Sequence, residues 1–558
     1  MKKLTHIKIF ILTILMIACN EDEWLKEEPL DFYSPENSYV TEEQFNSAAA
    51  RIYEVVNQAM IETAQLGHFV YHYTTDIAYD AIAPTHGLNS YIDKITPETG
   101  EVTQMWQFFY RIIFDANTIL GRIEDEGVQF SSLEKKNQII GEAQFFRGFA
   151  YRNLGIQWGG VPIILEELNR PKRDFIRAGR EEVYAQSISD LESAVQNLPH
   201  VSDLEEEGRL TKAAANHLLA ELYIITGEYD KAVDASTAVI DDPDYALMTE
   251  RFGKDQDKPG DVYWDLFRRG NQNRNGGMNT EAIWVSQYEY LIEGGGQGNS
   301  LTRFLIPQYW RASGTDGVNL FFGHSSKYGG RGIGWMVASD YLINQVWNDP
   351  GDMRNSEHNI IRDIVADNPQ SQFFGQKIIE SGAFDRTNDP FSRNWSVIFA
   401  KSAPLNDFPA EVIDDPTTGA TNNGARYTFR DHYFMRLAET YLLRAEAYLA
   451  KGDLENAAQD INTVRERAGA APVAPADVDI DFILDERARE LYFEEYRLLT
   501  LMRLGKLVER VEKYNPMYTG EIANNGIESF HELWPIPQSE IERNTEAVLE
   551  QNPGYTGG

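Results

Sequence analysis

The sequence predicts a mainly α protein in which helical hairpins form a scaffold, interrupted by a large loop-rich insert containing short strands and helices. Three observations carry this reading. Residues 436–469, RLAETYLLRAEAYLAKGDLENAAQDINTVRERAG, place Leu437, Tyr441, Ala445 and Tyr448 at helical spacing, break at Gly452, and restart with Leu454, Ala457, Ile461 and Val464. Two antiparallel helices around a tight turn give that pattern. The unit recurs at 218–233, LLAELYIITGEYDKAV, where Ala220, Glu221, Tyr223, Gly227 and Ala232 match Ala445, Glu446, Tyr448, Gly452 and Ala457. From about 254 to 430 glycine and asparagine cluster instead, as in RRGNQNRNGGMN, EGGGQGNS and KYGGRGIGW. Helical periodicity fades there, so short strands, short helices and ordered loops are expected.

Small and aromatic residues set around a turn glycine resemble the tetratricopeptide repeat. Uninterrupted arrays repeat about every 34 residues. Two hairpins split by a long insertion are therefore not expected to form a simple solenoid. The elements before the first hairpin follow in order. Thr41 suits a helix N-cap, with Glu42 and Glu43 in the first turn, where the helix dipole favours acids. Residues 65–103 lose periodicity and gain His, Tyr, Thr, Asn and Pro, the mark of a long functional loop. Helices are predicted again in MWQFFYRIIFDANTILGRI, in EKKNQIIGEAQFFRGFAYRNLGIQW up to the break at Gly159, Gly160 and Pro162, and in REEVYAQSISDLESAVQNLP. After the insert, helices resume at 433. LDERARELYFEEYRLLTLMRL reads as one late helix, rich in Glu/Arg pairs that can bridge successive turns.

At the N-terminus Lys2, Lys3 and Lys8 precede the apolar run IFILTILMIA, followed by Ala18 and Cys19. That is an export signal over residues 1–18, too short for a comfortable membrane span. Cys19 is the only cysteine, so no intramolecular disulfide can form. Its position resembles a bacterial lipobox, which would make Cys19 the lipidated first residue, with 19–30 as an acidic tether. NEDE after it resembles the signal that sends lipoproteins of Bacteroidetes to the cell surface. Losing three lysines and no acid would take the charge from −35 to −38. That charge argues against a generic nucleic-acid surface. Residues 31–558 are expected to form one domain, with the scaffold at about 31–253 and 431–558 and the insert at about 254–430.

Catalytic signatures are missing. HExxH, GxxxxGK[ST], GxSxG and CxxC do not occur. GGGQG at 294–298 reads as a loop. DQDKPGD at 255–261 makes a poor calcium loop, because Pro259 and Leu266 stand where ligands are needed. No metal, no cofactor beyond the lipid and no enzymatic activity are expected.

Taken in order, the blocks resemble the SusD/RagB family of outer-membrane nutrient-binding lipoproteins across nearly the whole mature chain. They are EEPLDFYSPEN, Trp106 and Tyr110 with Asn117, GEAQFFRGFAYRNLGIQWGGVP, EEVYAQSISDLESAV, GRLTKAAANHLLAELY, MRLAETYLLRAEAY with INTVRERAG, DERARELYFEEYRLLTLMRLG, and LWPIPQSEIERN with QNPGY. The resemblance implies a glycan-binding lid that delivers an oligo- or polysaccharide to a SusC-like TonB-dependent transporter. It also implies membrane attachment through lipid alone. The rivals are a peptide- or partner-binding lid and a lipid-anchored glycosidase.

Sugars present flat CH faces and hydroxyl rims, so exposed aromatics with polar neighbours are the expected site. Tyr223, Tyr448 and Phe493 fall on helical spacing and read as core. The family's ligand face draws on the early loop and the insert. The matching candidates are Asp76, Asn89 and Tyr91 from the first, and Tyr288, Tyr290, Trp310, Phe322 and Trp335 from the second. Trp335 is favoured for its glycine neighbours. Overall acidity leans toward a neutral glycan, a preference that a local arginine cluster would reverse.

Overall fold

The structure, a computed structural model, describes residues 38–62, 67–73, 75–82, 88, 90–385, 392–519 and 524–556. The signal, the tether, Cys19 and Asn89 lie outside the described residues. The early helices are α1 (Glu42–Asn57), α2 (Gly100–Arg122), α3 (Leu133–Trp158), α4 (Arg180–Asn197), α5 (Lys212–Thr226) and α6 (Tyr229–Ile240). The late ones are α7 (Leu437–Ala450), α8 (Leu454–Arg467), α9 (Ile480–Leu491), α10 (Arg497–Arg503) and α11 (Leu507–Tyr514). Thr41 does cap α1: its hydroxyl accepts from the Gln44 N–H, and the Gln44 side chain reaches back to the Thr41 N–H.

The two hairpins are α5–α6 and α7–α8. Gly227 (φ +79°) and Gly452 (φ +77°) supply the left-handed turn residue in each, with no neighbour near enough to demand a small residue for space. Although 225 residues apart, the hairpins are neighbours in space. Arg444 on α7 donates to the Thr237 hydroxyl on α6 at 3.0 Å, and His217 on α5 meets Thr440 on α7 at 2.9 Å. The row α2–α3–α4–α5–α6–α7–α8 is therefore continuous, and the insert is an excursion from a stack that closes behind it. The split hairpins thus contribute to one helical row after all.

Helix α3 approaches α4 through a stripe the sequence reading passed over. Gly141, Gly148 and Gly155 recur every seven residues, and a Cβ there would lie 2.9 Å from Leu198, 2.9 Å from Leu191 and 2.6 Å from the Tyr184 ring. Arg147 ties the stack by donating to both carboxylate oxygens of Asp190 (2.9 and 2.6 Å) and to the Asn117 side-chain Oδ1 at 2.8 Å. The chain then leaves α3 through Gly159 and is clamped in extended form. Tyr110 donates to Pro162 O at 2.7 Å, and Asn117 donates to Ile164 O at 2.9 Å. Tyr110 and Asn117 of the motif therefore hold backbone, while Trp106 packs on the rings of Tyr110 and Trp158. The C-terminal segment closes on the same point, where Trp158 donates to Pro535 O at 2.9 Å and Asn552 to Trp158 O at 3.0 Å.

Among the described residues the insert contributes strands to four two-stranded antiparallel ladders, two of them shared with the flanking chain: β1 (Ala78–Asp80) with β3 (Met336–Ala338), β2 (Ala282–Ser286) with β8 (His432–Arg436), β4 (Ile360–Ile361) with β5 (Ile398–Phe399), and β6 (Ile413–Asp415) with β7 (Ala420–Thr421). Residues 433–436 are strand, so helix resumes at Leu437 rather than 433. The β2–β8 pairing sets Arg436 opposite Ala282 and beside Glu281.

The late helix is two helices. Tyr492 turns extended and Phe493 takes φ +56°, which sends both rings into a core with Phe399. Its charges do not bridge exposed turns of one helix. They are buried and mostly pair with other elements. Glu490 receives Arg467, Arg436 (2.7 Å) and Arg354 (3.0 Å). Glu486 receives Arg354 (2.7 Å), Arg465 (2.7 Å) and Arg489 (2.9 Å). Asp76 receives Arg497 (2.6 Å) and Arg510 (3.0 Å). These cations hold the Glu490 and Asp76 carboxyls below the usual carboxylate range against burial, which pushes the other way.

Removing one partner of such a set strands buried charge. Glu490→Ala is expected to destabilise the protein by about 3–5 kcal/mol, read by chemical denaturation; a loss below about 1 kcal/mol would show the network to be dispensable. Lys401 makes a pH-dependent counterpart. Its ammonium donates to Glu490 O at 2.8 Å among the rings of Tyr263, Phe267 and Tyr492. Burial pulls it down to about 7, against the opposing pull of Glu494. An unfolded lysine keeps its proton to about pH 10.4, so the unfolded chain binds the extra proton between the two values. This group's contribution to stability therefore rises as pH increases from about 7 to about 10. The stability difference between wild type and Lys401→Met should shift toward wild type over that range, as followed by urea titration at several pH values.

Candidate functional site

The insert's own packing brings part of the predicted set together. Arg303 and Phe304 lie on the short helix Leu301–Leu305, and Trp310 and Arg311 on the turn Tyr309–Arg311. The glycine-rich run 329–335 lies across both. Ile333 N–H donates to Arg303 O at 2.8 Å, Gly334 N–H to Ile306 O at 2.9 Å, and the Trp310 indole to Gly332 O at 2.8 Å. A Cβ on Gly332 would fall 2.3 Å from Ile306 O, and one on Gly334 2.2 Å from Arg393 O. Only glycine lets these backbones touch. On its other side the run bonds the loop Asn423–Arg426, with Arg331 N–H donating to Ala425 O at 2.9 Å.

Aromatic faces and guanidinium groups alternate across this assembly. Trp335 stacks on Phe304 with ring centres 5.7 Å apart, and Arg303 lies 6.0 Å from the Trp335 ring. Arg331 and Arg311 lie 5.8 and 4.9 Å from the Trp310 ring, whose edge meets His324 at 5.9 Å. Arg426 covers Tyr427 at 5.0 Å. Tyr290 leans on Phe429 at 4.3 Å, close to Gly424 of the same loop. Trp310, Trp335, Tyr290 and Tyr427 are all half-buried, with part of each open to a ligand. His324 bonds Thr421 at 2.8 Å, and burial together with Arg331 lowers its basicity.

The other predicted residues lie elsewhere or face inward. Phe322 is 71 % exposed in the same lobe, its N–H bound by Asp367. Asp76 is fully buried and committed to Arg497 and Arg510, so its carboxylate holds the scaffold and does not face a ligand. Tyr91 is buried with its ring edge-on to His531 at 5.3 Å. Tyr288 is buried beneath the Gly296 loop. Arg303, Arg311, Arg331, Arg426 and Tyr427 were missed. The available signal was Arg331 between glycines in GGRGIGW, where a long side chain on a closely packed backbone has to point outward.

A second groove of about 380 Å³ runs along α2, lined by Trp106, Tyr110, Phe114, Phe175 and Leu549 among others, away from the predicted residues. His200, Asp242 and Asp244 form a trio able to hold a metal ion among the described residues. The His200 ring nitrogens are already bonded there, to Asp242 at 2.7 Å and Ser202 at 2.8 Å. In the 255–261 loop Asp261 instead caps a short helix and bonds Ser356 and Asn359.

Scaffold and loop lobe together match a known class. The family model described as SusD family covers residues 405–555, and the one described as starch-binding associating with outer membrane covers 23–224. Both its N-terminal and its C-terminal parts thus resemble the SusD family. A SusD-like protein of Formosa agariphila is 25% identical over 590 residues, covering 98% of this chain and 99% of the relative. The starch-binding protein SusD of Bacteroides thetaiotaomicron is 36% identical over 132 residues, 24% of this chain and 23% of that protein. Among solved structures, a laminarin binding SusD-like protein superposes with a TM-score of 0.69 at 23% identity, covering 93% of this chain and all of that one. No described helix is long and apolar enough to cross a membrane.

The glycine run is what presents Trp335. Gly334→Ala adds a methyl group against Arg393 O at a residue with φ +57°. It is expected to cost more than about 1 kcal/mol and to change the near-UV circular dichroism of the tryptophans. An unchanged spectrum and stability would show that the run tolerates a side chain.

Proposed function

We propose that this chain is the glycan-capturing lid of an outer-membrane uptake complex. It binds an oligo- or polysaccharide on the insert lobe and delivers it to a SusC-like TonB-dependent transporter. The observation that carries this reading is the pair of half-buried tryptophans, Trp310 and Trp335, held in place by contacts with the glycine run. Their indole faces suit the CH faces of sugar rings, and the polar groups around them suit hydroxyl rims. Its likeness to a starch-binding and a laminarin binding protein supports a carbohydrate ligand.

Attachment would be through lipid on Cys19, with the domain facing the cell exterior and 19–30 as tether. The side chains on the insert lobe supply stacking surfaces and fixed donors, which suits binding and release without chemistry on the sugar. Cleavage would then belong to separate glycosidases.

Affinity electrophoresis of residues 20–558 through gels carrying a panel of polysaccharides tests the reading. Retardation by at least one polymer is expected, and Trp310→Ala should weaken it by about tenfold or more, as loss of an aromatic anchor does. A folded variant with unchanged retardation would remove Trp310 from the site. Failure of every polymer to retard the protein would sink the capture role.

A further inference from the structure

We infer that the glycan taken by the Trp310–Trp335 face carries anionic groups, uronate carboxylates or sulfate esters, and that Arg303, Arg331 and Arg426 receive them. This deepens the capture reading and rests on it.

The first argument concerns commitment. Several buried arginines are used up: Arg354, Arg436, Arg487 and Arg510 each meet three carboxylates, while Arg268 meets none among the described residues and lies over the Trp264 ring. Among the described residues the guanidinium groups of Arg303, Arg311, Arg331 and Arg426 make neither an ion pair nor a hydrogen bond, and the Nε of Arg303 is buried without a partner. Their recorded neighbours are aromatic faces.

The second argument concerns crowding. Burial lowers the basicity of Arg303, and Arg331 and Arg426 lower it further. Like charges gathered without an anion raise one another's energy. No described carboxylate forms an ion pair with Arg303, Arg331 or Arg426, although Asp414 acts on the neighbouring His324. A neutral sugar could accept hydrogen bonds from these groups but would leave the repulsion in place. An anionic sugar removes it.

The third argument is geometric. A guanidinium stacked on an indole or phenol keeps its N–H edge free. That edge matches carboxylate and sulfate oxygens in a two-point contact. Sugar rings on Trp310 and Trp335 would then set their charged substituents toward Arg331 and Arg303. The surrounding acidity repels polyanions from the rest of the surface and confines them to this patch.

The test compares retention of residues 20–558 by alginate and carboxyl-reduced alginate, by a sulfated galactan and its desulfated form, and by neutral starch and laminarin. At least one charged polymer is expected to be held about tenfold more tightly than its neutral counterpart; the pair showing the difference tells carboxylate from sulfate. Arg331→Gln should abolish the preference. Arg51→Gln, which removes an exposed arginine from α1, should leave it intact. Equal retention of charged and neutral forms overturns the inference while the capture reading stands, as does a preference that survives Arg331→Gln. Retention by none of the six overturns both.

Discussion

The structure depends on carboxylates that sit in the protein interior and are shared among several guanidinium groups. Glu490 and Glu486 on α9 are fully buried, and bare burial of either would cost several kcal/mol. They stay ionised because arginines from α8, β8 and the insert converge on them. Each arginine in turn needs its acid, so none can leave without stranding another charge. Ion pairs of this kind add little net stability compared with an apolar core. They do specify which elements meet. Arg354 belongs to the insert and Glu281 precedes β2, so the same charges that order α8 and α9 also fix how the insert leaves and rejoins the helical row. Asp76 does the equivalent for the early loop, which it fastens to α10 and α11.

How much of this was legible follows from the range of each interaction. Hairpins, caps and the break after α3 are local, written in spacing and in a few special residues, and the sequence shows them. The burial of the α9 charges is not local. Glu486, Arg489 and Glu490 have the same composition as a solvated helix face, and only the arrival of Arg354, Arg436, Arg465 and Arg467 from distant positions turns that face inward. The same limit caught Asp76, a loop aspartate by sequence and a buried anchor in the fold. The glycines of α3 carried a readable signal, a repeat of seven on one face, whose meaning is close approach to α4.

The candidate site was half legible for a related reason. Aromatic residues in glycine-rich sequence pointed to Trp310, Trp335 and Tyr290, because such rings have no helix face to fill. Tyr91 and Tyr288 looked alike by that rule yet are buried, since a long insert needs small cores of its own and recruits rings for them. Arginines gave no sign of their division into two populations. Whether a guanidinium is spent on a carboxylate or left beside an indole is decided by contacts across tens to hundreds of residues.

That division bears on how a fold of this kind changes ligand without losing its shape. The scaffold is fixed by buried charge pairs and helix packing, and full-length likeness persists at 25% identity with the Formosa agariphila relative. The insert lobe is held by backbone hydrogen bonds through the glycine run and by small clusters such as the one around Tyr309 and Trp395. Backbone bonds do not depend on side-chain identity. The side chains at 303, 331 and 426 therefore carry little of the load of folding and are free to be matched to a ligand, whereas Trp310 also bonds Gly332 O. Guanidinium groups without partners are costly to keep near one another, and at positions released from structural duty that cost is best accounted for by what binds there.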